Sequence, residues 1–397
     1  MESFNYHVPT EVCFGPGSEN QTAALVQKYG GSRVLVVYGG QSARKSGLLG
    51  RITQQLADAG ITYAPFGGAQ PNPRLSHARE GVAQALALGA DLILAVGGGS
   101  VIDTAKAIAH GAANPGTDLW DFWLGKRPLT KTLPVGVVLT IPAAGSETSD
   151  SAVLTDADTG VKRGLNTDLN RPVFAVLDPV LAATLPRYQV ACGVTDILMH
   201  TLDRYFNPVT DNETTDALAE ALLRVVLRNG PLVVENAANT HAMSEIMWCG
   251  SLSHNNLTGL GGKKDFAVHQ LGHALGAMFD VAHGASLSAV WRAWAEEVAS
   301  VDGCARFARF ARNVWDVTEA DDAQAARQGI EKQVAFFRSI GMPVSLPELN
   351  VGDLDDAVMD RLAALCSYNH SRTIGTFKRL DEAAMARIYR AANGSVR

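Results

Sequence analysis

The sequence predicts an α/β N-terminal domain with a parallel sheet covered on both faces, followed by an all-α C-terminal domain. Three observations carry this. Through the first half, short apolar runs alternate with helical stretches, the pattern of a parallel sheet covered on both faces. After Pro186 apolar positions recur only at helical spacing, and convincing strands stop. The 397 residues suit two domains, and 47 % hydrophobic residues allow a sizeable core. The predicted domains are 1–186 and 187–397.

The elements follow in order. Residues 4–7 and 11–14 are expected to form a small antiparallel pair closed near Pro9, and 19–29 a helix. RVLVVY at 33–38 reads as a buried strand ended by Gly39-Gly40. An amphipathic helix is expected over 47–60, a strand over 61–66 and a helix over 75–88. DLILAV at 91–96 is a third strand, followed by GGGS and a helix to about 113; further strands are expected over 134–141 and 173–177. In the second domain helical spacing covers 195–205, 213–228, 244–257, 266–277, 287–299, 301–313, 323–340, 353–365 and 381–392.

Composition excludes several classes. The net charge is −6 with both signs interspersed, so there is no basic stripe for nucleic acid. The five cysteines are widely spaced without a CxxC pair, which argues against a disulfide framework and for a reducing, cytoplasmic setting. The N-terminus lacks a signal-peptide pattern, and no apolar run is long enough to span a membrane.

Two stretches carry chemistry. Gly97-Gly98-Gly99-Ser100 follows a buried strand and opens a helix, where glycines let a ligand approach the backbone and the free amides favour a pyrophosphate. Ser100 is expected to cap that helix, with Asp103 completing a capping box. The strand at 33–38 ends in Gly39, Gly40, Gln41 and Ser42, with Arg44 and Lys45 nearby. No carboxylate stands there to repel a 2′-phosphate, so NADP(H) fits better than NAD(H). The segment 139–149 (LTIPAAGSETS), with Ser146, has small and hydroxyl residues suited to a nicotinamide and ribose.

The second stretch supplies Asp196, His200, His269, His273 and His283. Asp196 and His200 stand four apart on a helical pattern, as do His269 and His273, so each pair shares a helix face. Such groups bind a divalent metal or move a proton. Nitrogen and oxygen ligands suit Fe(II), Zn(II), Co(II) or Mn(II), and spacing does not choose among them. Trp120, Phe122 and Trp123, and Trp248 and Phe266 near the metal segments, are candidates to line an apolar substrate pocket or to pack as core.

GGGSVIDTAK, PAAGSE, GVTDILMHTLDRYF and DFAVHQLGHALGAMFDVAHG resemble the iron-containing (group III) alcohol dehydrogenases, in the branch of NADPH-dependent butanol dehydrogenases and aldehyde reductases. The resemblance runs over essentially the whole chain. It implies the dehydroquinate synthase-like fold of that family, with an α/β Rossmann-like dinucleotide-binding domain and an all-α metal-binding one. It places Asp196, His200, His269 and His283 on the four metal-ligand positions and His273 on a histidine that faces the active site without ligating, a candidate proton relay. Gly97 to Ser100 fall on the pyrophosphate loop, and Thr140 and Lys162 on cofactor-contacting positions. Two departures stand out: the usual P-T-T-x-G-T-G-S-E run is shortened here, and Phe266 replaces a commoner Trp. The implied activity is reversible hydride transfer between NADP(H) and a primary alcohol or aldehyde, with Fe(II), or alternatively Zn(II), at the metal site and a homodimer as the assembly. The rivals are an NAD-dependent zinc polyol dehydrogenase of the glycerol type, a dehydroquinate synthase relative, and a non-catalytic nucleotide or metal sensor.

Overall fold

The computed structural model describes residues 1–352 and 354–394. The chain divides into two compact units, His7–Leu185 on one side and Met1–Tyr6 with everything from Pro186 onward on the other.

In the first unit the chain runs through Glu11–Phe14 (β1), Thr22–Lys28 (α1), Arg33–Tyr38 (β2), Ser42–Lys45 (α2), Leu48–Asp58 (α3), Thr62–Phe66 (β3) and Leu75–Leu88 (α4). It continues through Leu92–Gly97 (β4), Gly99–Ala113 (α5), Leu119–Trp123 (α6), Val135–Leu139 (β5), Ser151–Asp156 (β6), Val161–Asn166 (β7) and Phe174–Leu177 (β8). Six strands form one parallel sheet in the order β1-β8-β5-β4-β2-β3. β4, β5 and β8 are buried along their whole length. Their unbroken Val/Leu/Ile character follows from helices covering both faces, which leaves no solvent side to make polar.

The structure departs from the sequence reading at the N-terminus and over 151–166. Residues 4–7 form no strand. β1 instead pairs in parallel with β8, with the Glu11 amide on the Val173 carbonyl at 3.1 Å and the Thr10 hydroxyl on the Pro172 carbonyl at 2.7 Å. The first six residues go to the helical unit, where the Glu2 amide donates to the Gly261 carbonyl at 2.9 Å and Lys263 pairs with Glu2 at 3.3 Å. β6 and β7, read as strands nowhere in the sequence, form an antiparallel hairpin. Of the two readings of Trp120, Phe122 and Trp123, core packing holds: they are buried with Leu75, Ala78 and Leu154 in a core cluster of the sheet unit.

The helical unit comprises Arg187–Tyr205 (α7), Glu213–Glu235 (α8), Thr240–His254 (α9), Ala267–Phe279 (α10), His283–Val298 (α11), Ala305–Trp315 (α12), Asp322–Ser339 (α13), Asp356–Cys366 (α14) and Glu382–Asn393 (α15). α7 is buried on every side from Val194 to Tyr205 and packs against α8, α9, α10 and α11, which makes it the central helix. The helix expected over 353–365 begins where Asp355 caps it, its side chain accepting the Val358 amide at 2.8 Å; Asp353 itself, like 395–397 of the predicted domain, lies outside the described residues. Among the described residues no helix is long and apolar enough to cross a membrane.

Candidate functional site

α7, α10 and the first residue of α11 bring the metal candidates together. Ligand atoms of Asp196, His200 and His269 lie within 4.8 Å of one another, and all three residues are buried. Around Asp196 Oδ1 stand His200 Nδ1 at 3.1 Å, His269 Nε2 at 3.6 Å and His283 Nε2 at 3.6 Å. His273 stands further out, its ring 6.5 Å from that of His269 and 5.4 Å from that of His283.

Local structure explains this convergence. Helical spacing puts Asp196 and His200 on one face of α7. Phe266 adopts a left-handed φ of 54° just before α10 and Asp280 one of 53° just after it, so the helix is turned sharply at both ends. Asp265 fastens the entry, accepting the amides of Ala267, Thr376 and Phe377 at 3.0, 2.7 and 2.8 Å. Gly284 lets α11 start against α7: a β-carbon there would sit 2.2 Å from the Cys192 carbonyl oxygen. Cys192 lies one turn before Asp196, so that contact holds the neighbouring His283 beside the carboxylate.

Four neighbours were not singled out by sequence. Asp203, wholly buried, accepts from His269 Nδ1 at 2.6 Å and from the His269 amide at 3.3 Å. It fixes the ring so that Nε2 faces Asp196. Asp265 donates its amide to the Asp203 carbonyl at 2.8 Å. Arg204 donates to the His200 carbonyl at 2.7 Å and lies 4.8 Å over the Phe266 ring. His254 stacks on His200 with centroids 4.1 Å apart. Asp203 had a readable signal, because Asp196, His200 and Asp203 follow the i, i+4, i+7 rule of one helix face.

The electrostatics favour a positive group at the centre. Burial alone would raise the Asp196 carboxyl, but the His200 and His283 rings outweigh it and hold it well below the usual carboxylate range. Burial favours neutral His269, yet Asp196 and Asp203 raise its pKa above the ordinary value. Burial lowers His200 against the pull of Asp196. Burial also pushes the Cys192 thiol up to about 12. Among the described residues neither Asp196 Oδ1 nor His269 Nε2 has a hydrogen-bond partner, though both are buried. Buried polar atoms are rarely left so, and a divalent cation is the group that this carboxylate and imidazole set would satisfy.

In the sheet unit the glycine turn joins β4 to α5, with Gly98 in extended backbone before the helix. Ser100 does not cap α5; Gly98 does, because the strand runs to Gly97 and the helix starts at Gly99, which leaves Ser100 inside the first turn. Asp103 is correspondingly no part of a capping box. Its buried carboxylate takes the Ser146 hydroxyl at 2.6 Å and the Val153 amide at 3.0 Å. Thr140 follows β5, its amide on the Gly97 carbonyl at 3.1 Å. Lys162, on β7, donates to Asn72 Oδ1 at 2.9 Å, and Asn72 holds a left-handed φ of 54°. Gly40 faces open space and Gly39 has no positive φ, so neither position needs glycine for its backbone angle. Ser42 begins α2. Arg44 turns back over the Tyr38 ring, 5.1 Å from its centroid, and donates to the Tyr38 hydroxyl.

Residues 9–179 match the sequence profile described as iron-containing alcohol dehydrogenase, and residues 190–393 match that of the Fe-containing alcohol dehydrogenase family, C-terminal. NADH-dependent butanol dehydrogenase A of Clostridium acetobutylicum is 34% identical over 391 residues, 98% of this chain and 99% of that protein. NADPH-dependent aldehyde reductase YqhD of Escherichia coli is 34% identical over 392 residues, 97% of this chain and 100% of that protein. The crystal structure of NADH-dependent butanol dehydrogenase A from Thermotoga maritima matches with a TM-score of 0.94 at 30% identity, covering 99% of both chains.

Proposed function

We propose that this chain, which belongs to the iron-containing alcohol dehydrogenase family, interconverts primary alcohols and aldehydes with a divalent metal and NADP(H). The observation that carries this reading is the buried pair of Asp196 Oδ1 and His269 Nε2, 3.6 Å apart and without hydrogen bonds, with His200 and His283 beside the carboxylate. Asp196, His200, His269 and His283 are the proposed ligands, and Fe(II) the proposed metal ahead of Zn(II). When bound, the cation polarises the substrate oxygen and the nicotinamide carries the hydride. The chain's own residues do the rest. Asp203 aims His269, Asp265 fixes the start of α10, and His273, outside the ligand cluster, passes a proton between the substrate oxygen and solvent at a ring nitrogen. Gly97 to Ser100 offer backbone amides to the pyrophosphate. Asp103, Thr140, Ser146 and Lys162 line or brace the remainder of the dinucleotide site.

NADP(H) is favoured over NAD(H) because Gly39 stands where a carboxylate would repel a 2′-phosphate. With Arg44 laid on Tyr38, Gly40, Ser42 and Lys45 are the proposed phosphate contacts. The NADH reading rests on relatives named for NADH, such as the two butanol dehydrogenases above. The five cysteines, none in a disulfide, support a cytoplasmic setting. A homodimer is the proposed assembly, since β1 is a sheet edge that ends in exposed Phe14.

The test is butanal reduction by chelated and Fe(II)- or Zn(II)-loaded protein with each dinucleotide. Turnover is expected only with metal, and NADPH is expected to exceed NADH by roughly tenfold in kcat/KM, about 1.4 kcal/mol. Gly39→Asp should erase that preference through charge, and Gly39→Ala should keep it, since no positive φ is at stake. Loaded protein that binds metal and NADPH yet turns over no aldehyde would overturn the activity; a wild type preferring NADH would overturn the 2′-phosphate site alone.

A further inference from the structure

Lys106 lies on α5 with its side chain wholly buried. Its ammonium donates to the Ser146 carbonyl at 2.7 Å, the Ser146 hydroxyl at 2.8 Å and the Ser151 carbonyl at 2.8 Å, with the Ser149 carbonyl at 3.4 Å and its hydroxyl at 3.5 Å. Ser146 hands its own proton to Asp103. The same chain segment meets the start of α5 through apolar contact. A β-carbon added at Gly98 would lie 2.9 Å from Ile141 Cβ, and one at Gly99 would lie 3.1 Å from Ala144 Cβ. Gly99, Asp103 and Lys106 follow the i, i+4, i+7 spacing of one helix face. The segment 141–151 is therefore pressed along α5 from the glycine turn to Lys106.

We propose that Lys106 is a positioning residue for the dinucleotide: its ammonium clamps segment 141–151 at the spacing from the Gly98–Gly99 turn that the pyrophosphate and nicotinamide ribose require. The proposal rests on the dinucleotide reading above. Buried acceptors left without donors are costly and turn toward water. Losing the ammonium would take the donor from the Ser146 carbonyl and hydroxyl and leave the Ser151 carbonyl to the more distant Ser149 hydroxyl at 3.4 Å, and would release Ile141 and Ala144 from the glycines.

The clamp depends on charge. Asp103 and His110 face Lys106 from α5, Glu147 and Asp150 from the clamped segment, and Arg171 from beyond the β6–β7 hairpin. His110 stays neutral, pulled by burial down to about 4, and is bound between Thr132 and Asn170. Burial brings Lys106 down to about 8, with Asp103 the strongest opposing influence. Above that pH the amine keeps two N–H donors for three close acceptors, so the clamp loosens as pH rises.

The experiment measures dissociation constants of NADPH and NADH by nicotinamide fluorescence for wild type, Lys106→Gln and Lys106→Met. Each is measured from about pH 6.5 to about 9.5. Lys106→Met is expected to weaken binding by roughly tenfold or more, about 1.4 kcal/mol, with a much smaller fall in kcat at saturating dinucleotide and Lys106→Gln in between. Wild-type affinity should be flat below pH 8 and fall above it, and both variants should lose that inflection. If Lys106→Met does not fold, Lys106→Gln decides. Wild-type-like constants in the folded variants would overturn the clamp while leaving the dinucleotide reading intact. A wild type that binds neither dinucleotide would overturn that reading, and the clamp with it.

Discussion

Asp203 shows what a single carboxylate does for a site it does not join. Held in a fully buried position by the turn of α7 that follows His200, it takes the Nδ1 proton of His269 at 2.6 Å and leaves Nε2 facing Asp196. Replacing it with asparagine keeps the size but removes the charge that favours this tautomer. Asp203→Asn is therefore expected to weaken Fe(II) or Zn(II) binding about 10- to 100-fold, the usual cost of losing such a partner. His269→Ala should abolish binding, while His273→Ala should retain the metal and lose activity. Competition against a chromophoric chelator gives the affinities. Metal binding by Asp203→Asn equal to wild type would show that His269 is oriented by packing alone.

Among elements, the start of α11 is the most constrained. Gly284 meets Cys192 backbone, not a side chain that can rotate away, so Gly284→Ala cannot be absorbed by a rotamer change. It should move His283 away from Asp196, costing about 1–3 kcal/mol of stability by overpacking and weakening metal binding at the same time. Calorimetry and the chelator assay on the variant test both; an unchanged Tm would mean that α11 shifts freely over α7. The elements most legible in sequence were those whose burial is uniform or periodic. RVLVVY and DLILAV read as core strands, and the i, i+4 spacing of Asp196–His200 and His269–His273 showed the site. The β6–β7 hairpin was not legible, because VKRGLN is polar and lies against the unit rather than inside its main sheet. Lys106 was hidden by its type: in TAKAIAH a lysine reads as a solvent residue, and only the fold reveals that Ser146 and Ser151 surround it. The aromatic stretch at Trp120 stayed open between core and pocket, since a buried cluster and an apolar pocket have the same composition.

At the scale of the molecule, the two ligands are divided between units. Every proposed metal ligand lies beyond Pro186, and every proposed dinucleotide contact lies within His7–Leu185. α7 explains why the metal should matter to a whole unit: it packs against α8, α9, α10 and α11 and carries Asp196, His200 and Asp203 on the face those helices enclose. A cation that binds only the folded form stabilises it by mass action, about 2.7 kcal/mol at a hundredfold excess over Kd. That stabilisation should appear where the ligands are. In hydrogen exchange, chelation is expected to speed the amides of α7, α10 and the first turn of α11 while leaving β2, β4 and α5 unchanged. Adding NADPH to the chelated protein should slow exchange in the Gly97–Ser100 turn, segment 141–151 and the end of β2, and leave α7 as it was. The alternative is that the chain responds as one cooperative body, and it makes a different prediction: chelation would then speed β4 and α5 as much as α7. Equal acceleration in both units would show that the metal stabilises the sheet as well, and that the division of ligands is not a division of stability.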